Sequence, residues 1–421
     1  MKAVNLKQAL QYFDPVPLSE QNLGFWFVPR QGSPRRRLRI VLETSPQPVK
    51  VLFVGHRGSG KSTELNKLAE ELSGTFQTIG FNVLEITGRT TPEYEDVMLA
   101  LSTQVTLDCI QRGWLSQPLA APVRAGWERL HDWWQQVVAG TNFQPAQRDA
   151  TISVKLQTLV GQIELGTRQS STTRETIKFQ INQQMPELIK NLNWVIEQSE
   201  TNSGKRLLLV VEGLDKVDLK SAQDIFRDHA PTITAPNASM IYTFPLALRH
   251  SDDYNSIRLS FPQPHFLPNV STRHADGTPD ADGIKFLRDL VLARVEERLI
   301  EVEALNLVVQ ANGGIPVWLV VLLRSAAVYA LERSELAESI TVADVQNAIR
   351  DWRREGIAPL SRGDIEVLRA RHRDRQLSND PEEQRLLFNG SLIEYSNEES
   401  WCDAHPALWS RLQGEQSGSD A

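Results

Sequence analysis

The 421-residue sequence predicts an α/β protein with a parallel sheet at its centre. Three observations support this fold class: a short apolar strand at 49–54 that runs into a glycine-rich loop and a helix, an entirely apolar strand at 207–211, and a third apolar stretch within 239–250. Apolar strands alternating with helical segments are typical of parallel sheets that are covered on both faces. The core is therefore expected to begin at Val49.

The glycine-rich loop has the spacing of a phosphate-binding loop, Gly-x-x-x-x-Gly-Lys-Ser, and the strand and helix that this motif requires flank it. Glycines let successive backbone N–H groups converge on an anion, and the positive end of the following helix faces the same point. We expect Lys61 to contact the β- and γ-phosphates and Ser62 to ligate Mg²⁺. The alternative is an ordinary glycine turn. The predicted nucleotide-binding residues of this loop are Gly55, His56, Arg57, Gly58, Ser59, Gly60, Lys61, Ser62 and Thr63.

The strand at 207–211 ends in two carboxylates, Glu212 and Asp215, within "LLLVVEGLDK". A buried strand has to stop somewhere, and polar residues mark its exit. Beside a phosphate loop, however, acids on a rigid strand end can hold Mg²⁺ and polarise the attacking water. We assign Glu212, with Ser62, to the metal and Asp215 to water activation as predicted catalytic residues, and the reverse division stays open.

The acid strand resembles the second nucleotide motif of NACHT-type and related STAND ATPases, a branch near AAA+, whose pattern is Asp-Gly-x-Asp-Glu after an apolar strand. Here Glu212 replaces the first Asp, and Lys216 stands where an acid is common. The stretch "NGGIP" resembles the STAND Gly-x-Pro motif, in which the proline, here Pro316, faces the nucleotide from a lid domain. Its alternative is a common helix-start turn. The resemblance also implies a γ-phosphate sensor near Thr243 or Arg249.

These motifs divide the chain into a P-loop NTPase core with a helical lid and a C-terminal winged-helix-like domain. Within the core we expect one strand at 78–87, alternation of period near two in parts of 150–175, and one long helix at 174–199. Three helices, at 283–303, 316–332 and 341–355, are expected to form the lid. The C-terminal domain is expected to contain a helix at 362–376, a second helix, a hairpin and a short helix. The aromatic residues of "LGFWFVPR" are expected to pack on the core, or else to lie near the adenine. The predicted segments are an arm at 1–45, the core at 46–260 with a helical insertion at about 113–175, a connector at 261–282, the lid at 283–355, the winged-helix-like domain at 356–412 and a disordered tail at 413–421.

The composition fits a soluble, cytoplasmic protein with no membrane segment. The hydrophobic share is 41%, and Cys109 and Cys402 are too far apart in sequence to suggest a disulfide framework or a zinc site. A net charge of −7 argues against a chain that mainly coats nucleic acid. Two arginine-rich stretches, 34–39 and 350–375, are read first as solvated, salt-bridged surfaces.

Together the motifs and the resemblance predict an ATP-binding, Mg²⁺-dependent molecular switch that acts through a protein partner or self-association. The alternative is a DNA-binding ATPase of origin-recognition or transposition-regulator type, based on the winged-helix-like domain and its arginines. DNA binding is expected to be weak, because the second helix of that domain and the turn "NEES" are acidic. A chain that binds nucleotide without hydrolysis and a small-molecule kinase are further classes, and no acceptor-binding motif supports the kinase.

Overall fold

The computed structural model describes residues 1–115, 119–144, 150–355, 359–397 and 399–413. The predicted disordered tail therefore lies, except for its first residue, outside the described residues. The centre of the molecule is a five-stranded, all-parallel sheet, and the predicted α/β class with a central parallel sheet is confirmed. The strands are β1 Lys50–Gly55, β2 Phe76–Asn82, β3 Arg206–Glu212, β4 Ser239–Pro245 and β5 His265–Phe266. Their order in the sheet is β2-β3-β4-β1-β5.

The strands are apolar along their whole length because helices cover both faces of the sheet. In β3, Leu207, Leu209 and Val211 pack into the larger core cluster, whereas Leu208 and Val210 pack into a smaller cluster on the opposite face. Side chains alternate between the faces of a strand, so only a sheet buried on both sides needs such an uninterrupted run. The same burial fixes where β3 ends, at the first carboxylate.

Fourteen α-helices precede or surround the sheet in the N-terminal two thirds of the described chain. They are α1 Leu6–Tyr12, α2 Glu20–Trp26, α3 Arg35–Thr44, α4 Lys61–Leu72, α5 Val83–Thr87, α6 Tyr94–Gln111, α7 Ala121–Val137, α8 Ile152–Gln169, α9 Ser171–Gln183, α10 Met185–Ser203, α11 Leu219–Gln223, α12 Ala230–Ile233, α13 Leu246–Arg249 and α14 Tyr254–Ser260. A 3-10 turn at Leu214–Lys216 and a π-helical turn at Asp224–Asp228 complete this part.

Three local predictions in this part are wrong. The strand predicted at 78–87 ends at Asn82, whose side chain caps α5 by accepting from the Leu84 amide at 3.0 Å. The alternation expected within 150–175 is helical instead. The single helix predicted at 174–199 is two helices that meet at Gln184, because Pro186 fits the first turn of a helix but not its interior.

The lid region comprises four helices rather than three, because the helix predicted at 283–303 is interrupted by a 3-10 turn at Glu297–Leu299. The first residues of the chain share the hydrophobic core of the lid helices. In that core, Leu6, Ala9 and Phe13 are buried with the apolar face of the third lid helix. The predicted arm is thus divided between lid and core. The lid helices are α15 Ala281–Leu292, α16 Val302–Ala311, α17 Pro316–Arg333 and α18 Val342–Glu355.

The connector predicted at 261–282 contains the fifth strand, which is too short for its sequence to predict. The described residues from 359 onward, here called the C-terminal module, have a small core of their own that includes Leu368, Leu386 and Cys402. The predicted helix, second helix, hairpin and short helix are all present, while the winged-helix assignment stays a prediction. The elements are α19 Arg362–Asp374, α20 Pro381–Asn389, the antiparallel strands β6 Leu392–Ser396 and β7 Ser400–Ala404, a 3-10 turn at Pro406–Leu408 and α21 Trp409–Gln413.

None of the described helices combines the length and the apolar character that crossing a bilayer requires.

Candidate nucleotide-binding site

The loop between β1 and α4 has a backbone that only glycine accommodates at two positions. Gly58 and Gly60 have φ angles of 82° and 97°, in the left-handed region that favours glycine. A Cβ atom on Gly58 would lie 2.2 Å from Cγ1 of Val317, at the start of α17. The loop and the lid are therefore in direct contact, and the Val317 amide donates to the Gly58 carbonyl at 3.2 Å.

Lys61 is the buried cation of the site, with 5% of its surface exposed. Its ammonium group donates to the Gly55 and His56 carbonyls, each at 2.8 Å, and forms an ion pair of 2.8 Å with Asp215. The three partners hold the ammonium between the loop and the end of β3. A buried cation needs this degree of pairing to offset its desolvation.

The two acids at the end of β3 lie in different electrostatic environments. Burial raises the pKa of the half-buried Glu212, against the opposing effect of a hydrogen bond with Ser62, and the Asp215 charge raises it further. Burial alone would also raise the pKa of Asp215, but the Lys61 ammonium, together with Lys216 and Thr243, outweighs it, and the net pKa lies below the usual range. Glu212 is thus next to the predicted metal ligand Ser62, and Asp215 is next to the predicted phosphate ligand Lys61.

Thr243, on β4, lies beneath Asp215 rather than in the cleft. It is 1% exposed, and its hydroxyl has no hydrogen-bond partner of normal geometry among the described residues. It is still close enough to contribute to the lowered pKa of Asp215. Thr243 does not line the cleft, and the sensor role stays a prediction.

A cleft of about 610 Å³ opens above the loop and is lined by the arm, the core and the lid. Its size is within the range of pockets that hold small-molecule ligands. Ten of the predicted site residues line it, including both carboxylates and the proline of "NGGIP". They are Arg57, Gly58, Ser59, Gly60, Lys61, Ser62, Thr63, Glu212, Asp215 and Pro316.

The other predicted residues do not line this cleft. Gly55 lies behind the loop, where a Cβ would be 2.9 Å from the Leu267 carbonyl oxygen. His56 is also behind the loop and 3% exposed, and burial lowers its pKa to about 3. Arg249, the alternative sensor, pairs instead with Glu394 of the C-terminal module at 2.9 Å.

Several cleft residues were not predicted from the sequence, because they come from segments that are distant along the chain. Arg30, from the arm, donates to the Ser59 carbonyl at 3.1 Å and to the Pro268 carbonyl at 2.6 Å. Arg294, from the lid, lies with its guanidinium carbon 5.7 Å from the centre of the Trp26 ring. The only sequence signal was the aromatic stretch before Arg30. Trp26 and Phe27 line the cleft and Phe25 is exposed, while a position near the adenine stays a prediction.

The described residues contain no group of three or more His, Cys, Asp or Glu side chains arranged to hold a metal ion by themselves. The donor set at the loop is one hydroxyl, Ser62, and one neighbouring carboxylate, Glu212. This set fits Mg²⁺, which prefers oxygen ligands and is usually bound by one or two protein groups together with phosphate oxygens. The residues present therefore fit a metal that arrives with a nucleotide.

No family model matches the chain, and no curated protein matches it. Solved structures similar to it include a Walker-type ATPase of Pyrococcus abyssi (14% identity, 95% of this chain and 99% of that chain, TM-score 0.46) and Cdc6p of Pyrobaculum aerophilum (13%, 96% and 97%, 0.44). Another is the Orc1 protein of Aeropyrum pernix in complex with DNA (13%, 98% and 96%, 0.43). At these low identities and TM-scores, the likeness carries no argument about function.

Proposed function

We propose that this protein binds ATP with Mg²⁺ in the cleft above the loop and hydrolyses it, as a molecular switch of AAA+/STAND type. The observation that supports this most strongly is the placement of Lys61, Ser62, Glu212 and Asp215 at one end of a cleft large enough for a nucleotide. A phosphate-binding cation, a metal-binding hydroxyl and two carboxylates are the groups that phosphoryl transfer to water requires.

Each residue has a distinct role in this proposal. The loop amides and Lys61 hold the phosphates, and Ser62 with Glu212 holds the metal, which neutralises charge on the phosphate oxygens when it is bound. Asp215 keeps the Lys61 ammonium in place and orients the attacking water. Pro316 and the first residues of α17 close the site from the lid side.

The position of the cleft supports a role as a switch. Core and lid both line it, and the Gly58 carbonyl already accepts from the Val317 amide across the junction. A ligand that touches both parts stabilises one relative position of core and lid over others. The output is association with a protein partner or with a second copy of this chain.

Hydrolysis is tested by phosphate release from the full-length protein. We expect Asp215→Asn and Glu212→Gln each to lower kcat by at least about 100-fold, since positioned acid–base and metal-binding groups contribute factors of this size. Asp218→Asn is the matched control, because Asp218 is three residues further along, caps α11 and does not line the cleft. Parent-like turnover by both cleft variants would show that the catalytic assignment is wrong.

DNA binding is the second candidate function, and it depends on the arginines of the C-terminal module. Two of them are already neutralised within the module: Arg371 pairs with Glu383 at 3.2 Å, and Arg375 pairs with Asp403. Arg362 and Arg373 are exposed. Glu383 is buried in its ion pair, so less of the acidity of α20 faces solvent than the sequence suggested. A weak, salt-sensitive affinity for duplex DNA is compatible with this arrangement.

A further inference from the structure

One residue of the C-terminal module, Glu394 in the middle of β6, contacts three separate segments of the ATPase core and connector. Its surface exposure is 0%. The carboxylate accepts from Arg249 Nη1 at 2.9 Å and from His250 Nε2 at 2.7 Å, both at the end of α13. Its backbone carbonyl accepts from the Asn269 side chain at 3.0 Å. The backbone amide completes the set by donating to His56 Nε2 at 2.9 Å.

The contact with His56 places the hairpin directly behind the phosphate-binding loop. His56 is the second residue of the loop, and its carbonyl accepts from the Lys61 ammonium at 2.8 Å. The path from Glu394 to the phosphate-binding cation is thus two hydrogen bonds long. β6, the His56 ring and one of the three partners of Lys61 are therefore connected in series.

The carboxylate of Glu394 is more than a packing element of its own module. A fully buried carboxylate is costly unless it is paired, and both of its partners lie outside the module, on the element that follows β4. Buried charges of this kind fix one docking geometry, because a shifted interface leaves them without partners. Tyr395, the next residue, adds a contact with the lid by donating from its hydroxyl to the Gly313 carbonyl at 2.9 Å.

We propose that Glu394 is a positioning residue of the nucleotide site: its carboxylate, held by Arg249 and His250, docks the hairpin so that its backbone amide holds His56, and this keeps the phosphate-binding loop and Lys61 in the geometry that binds phosphate. This role rests on the proposed nucleotide binding. The C-terminal module is thereby part of the binding site, and nucleotide affinity reports whether its hairpin is docked.

The chain offers a matched control for this role. Asp403, on the partner strand β7, is also a buried carboxylate, 1% exposed, and it also pairs with a histidine and an arginine, His372 and Arg375. Both of those partners belong to the C-terminal module itself. Asp403→Asn therefore removes an equivalent charge from the module without touching the loop.

The test compares full-length Glu394→Gln, Arg249→Gln and Asp403→Asn by calorimetric titration with Mg²⁺–ATP and Mg²⁺–ADP, after melting curves show that each is folded. Arg249→Gln breaks the same ion pair from the core side. We expect both interface variants to raise Kd for ATP and ADP about tenfold, which is about 1.4 kcal/mol. Asp403→Asn is expected to leave Kd within about twofold of the wild-type value, even if it lowers Tm as much as the two interface variants do.

Each other outcome contradicts the positioning role in a recognisable way. Parent-like affinity in both interface variants, or equal weakening by Asp403→Asn, would overturn it while leaving the proposed function intact. An Arg249→Gln variant that loses ATP binding but keeps ADP binding would make Arg249 a γ-phosphate sensor instead.

If the wild type itself binds no nucleotide, the proposed function fails, and hydrogen exchange still tests the contact between Glu394 and the loop. The amides of residues 55–62 are expected to exchange faster in Glu394→Gln than in Asp403→Asn, and equal rates would contradict the role.

Discussion

At the scale of single residues, burial controls the charge state of several groups near the site. Three histidines are held neutral mainly by desolvation: the pKa is lowered to about 3 for His56, to about 4 for His265 and to about 3 for His405. His56 can accept from the Glu394 amide only while its Nε2 is unprotonated. The hydrogen bond between the loop and the hairpin therefore requires His56 to stay neutral.

The buried histidines predict acid sensitivity. In the unfolded chain a histidine binds its proton near pH 6.5, whereas folded His405 does so only near pH 3. Between these values the unfolded state holds more protons, so the stability contributed by His405 is present above about pH 6.5 and is lost as the pH falls. We expect His405→Gln to flatten the dependence of the unfolding free energy on pH between about 6 and 5 by up to about 1.4 kcal/mol per pH unit.

Urea unfolding at stepped pH values measures this slope. The same replacement at His131, on α7, is the matched control. A His405→Gln slope equal to that of the wild type would contradict the account of this histidine.

Single residues also show why the site was only partly predictable. The loop and the acid pair follow from local spacing, because each motif is contiguous in sequence and has its own strand. Arg30 and Arg294 reach the same cleft from an arm and a lid separated by more than half of the chain. No local pattern surrounds them, so only the fold shows that they meet.

At the scale of elements, the predicted helices and strands were correct where the apolar residues follow one periodicity. They were wrong where both a helical and a strand periodicity are present. The stretch 150–175 contains apolar residues that alternate in places, but the buried ones are Leu156, Leu159, Val160, Ile163 and Thr167, which have helical spacing. The segment is helical because that spacing puts all five side chains on the face that packs against the core. The strand β5 was missed for the opposite reason, since two residues carry no periodicity at all.

The helices and hairpin of the C-terminal module allow the DNA hypothesis to be tested. Arg362→Ala with Arg373→Ala removes the two exposed arginines of α19 without breaking the ion pairs of Arg371 and Arg375. If this helix binds duplex DNA, the double variant should bind more weakly, and the slope of log K against log salt should fall by up to about two, one for each lost phosphate contact.

Fluorescence anisotropy with a labelled duplex at several salt concentrations gives both quantities. Arg124→Ala with Arg129→Ala, on α7, is a charge-matched control. An unchanged salt slope in the α19 variant would remove this helix from any DNA interface.

At the scale of the whole molecule, the candidate site depends on parts that are far apart in the chain. The first residues pack with the lid, and the Ala3 amide donates to the Arg294 carbonyl at 2.8 Å. The arm then crosses to the core, where the Leu18 amide donates to the Thr63 hydroxyl at 3.2 Å, and the C-terminal module closes the site from behind through Glu394. Arm, core, lid and module therefore all contact the loop or line the cleft, so a bound nucleotide would act on the whole chain.

The measurement that tests nucleotide binding most directly is calorimetric titration of Mg²⁺–ATP into the wild type and into Lys61→Ala, with circular dichroism to show that the variant is folded. Because Lys61 is the buried cation at the base of the cleft, we predict that the wild type binds ATP and that Lys61→Ala binds it at least about 100-fold more weakly. Lys67→Ala, on the outer part of the same helix and paired with Glu70, is predicted to bind like the wild type. ATP binding of equal strength by wild type and a folded Lys61→Ala variant, or no binding by the wild type, would contradict the assignment of this cleft.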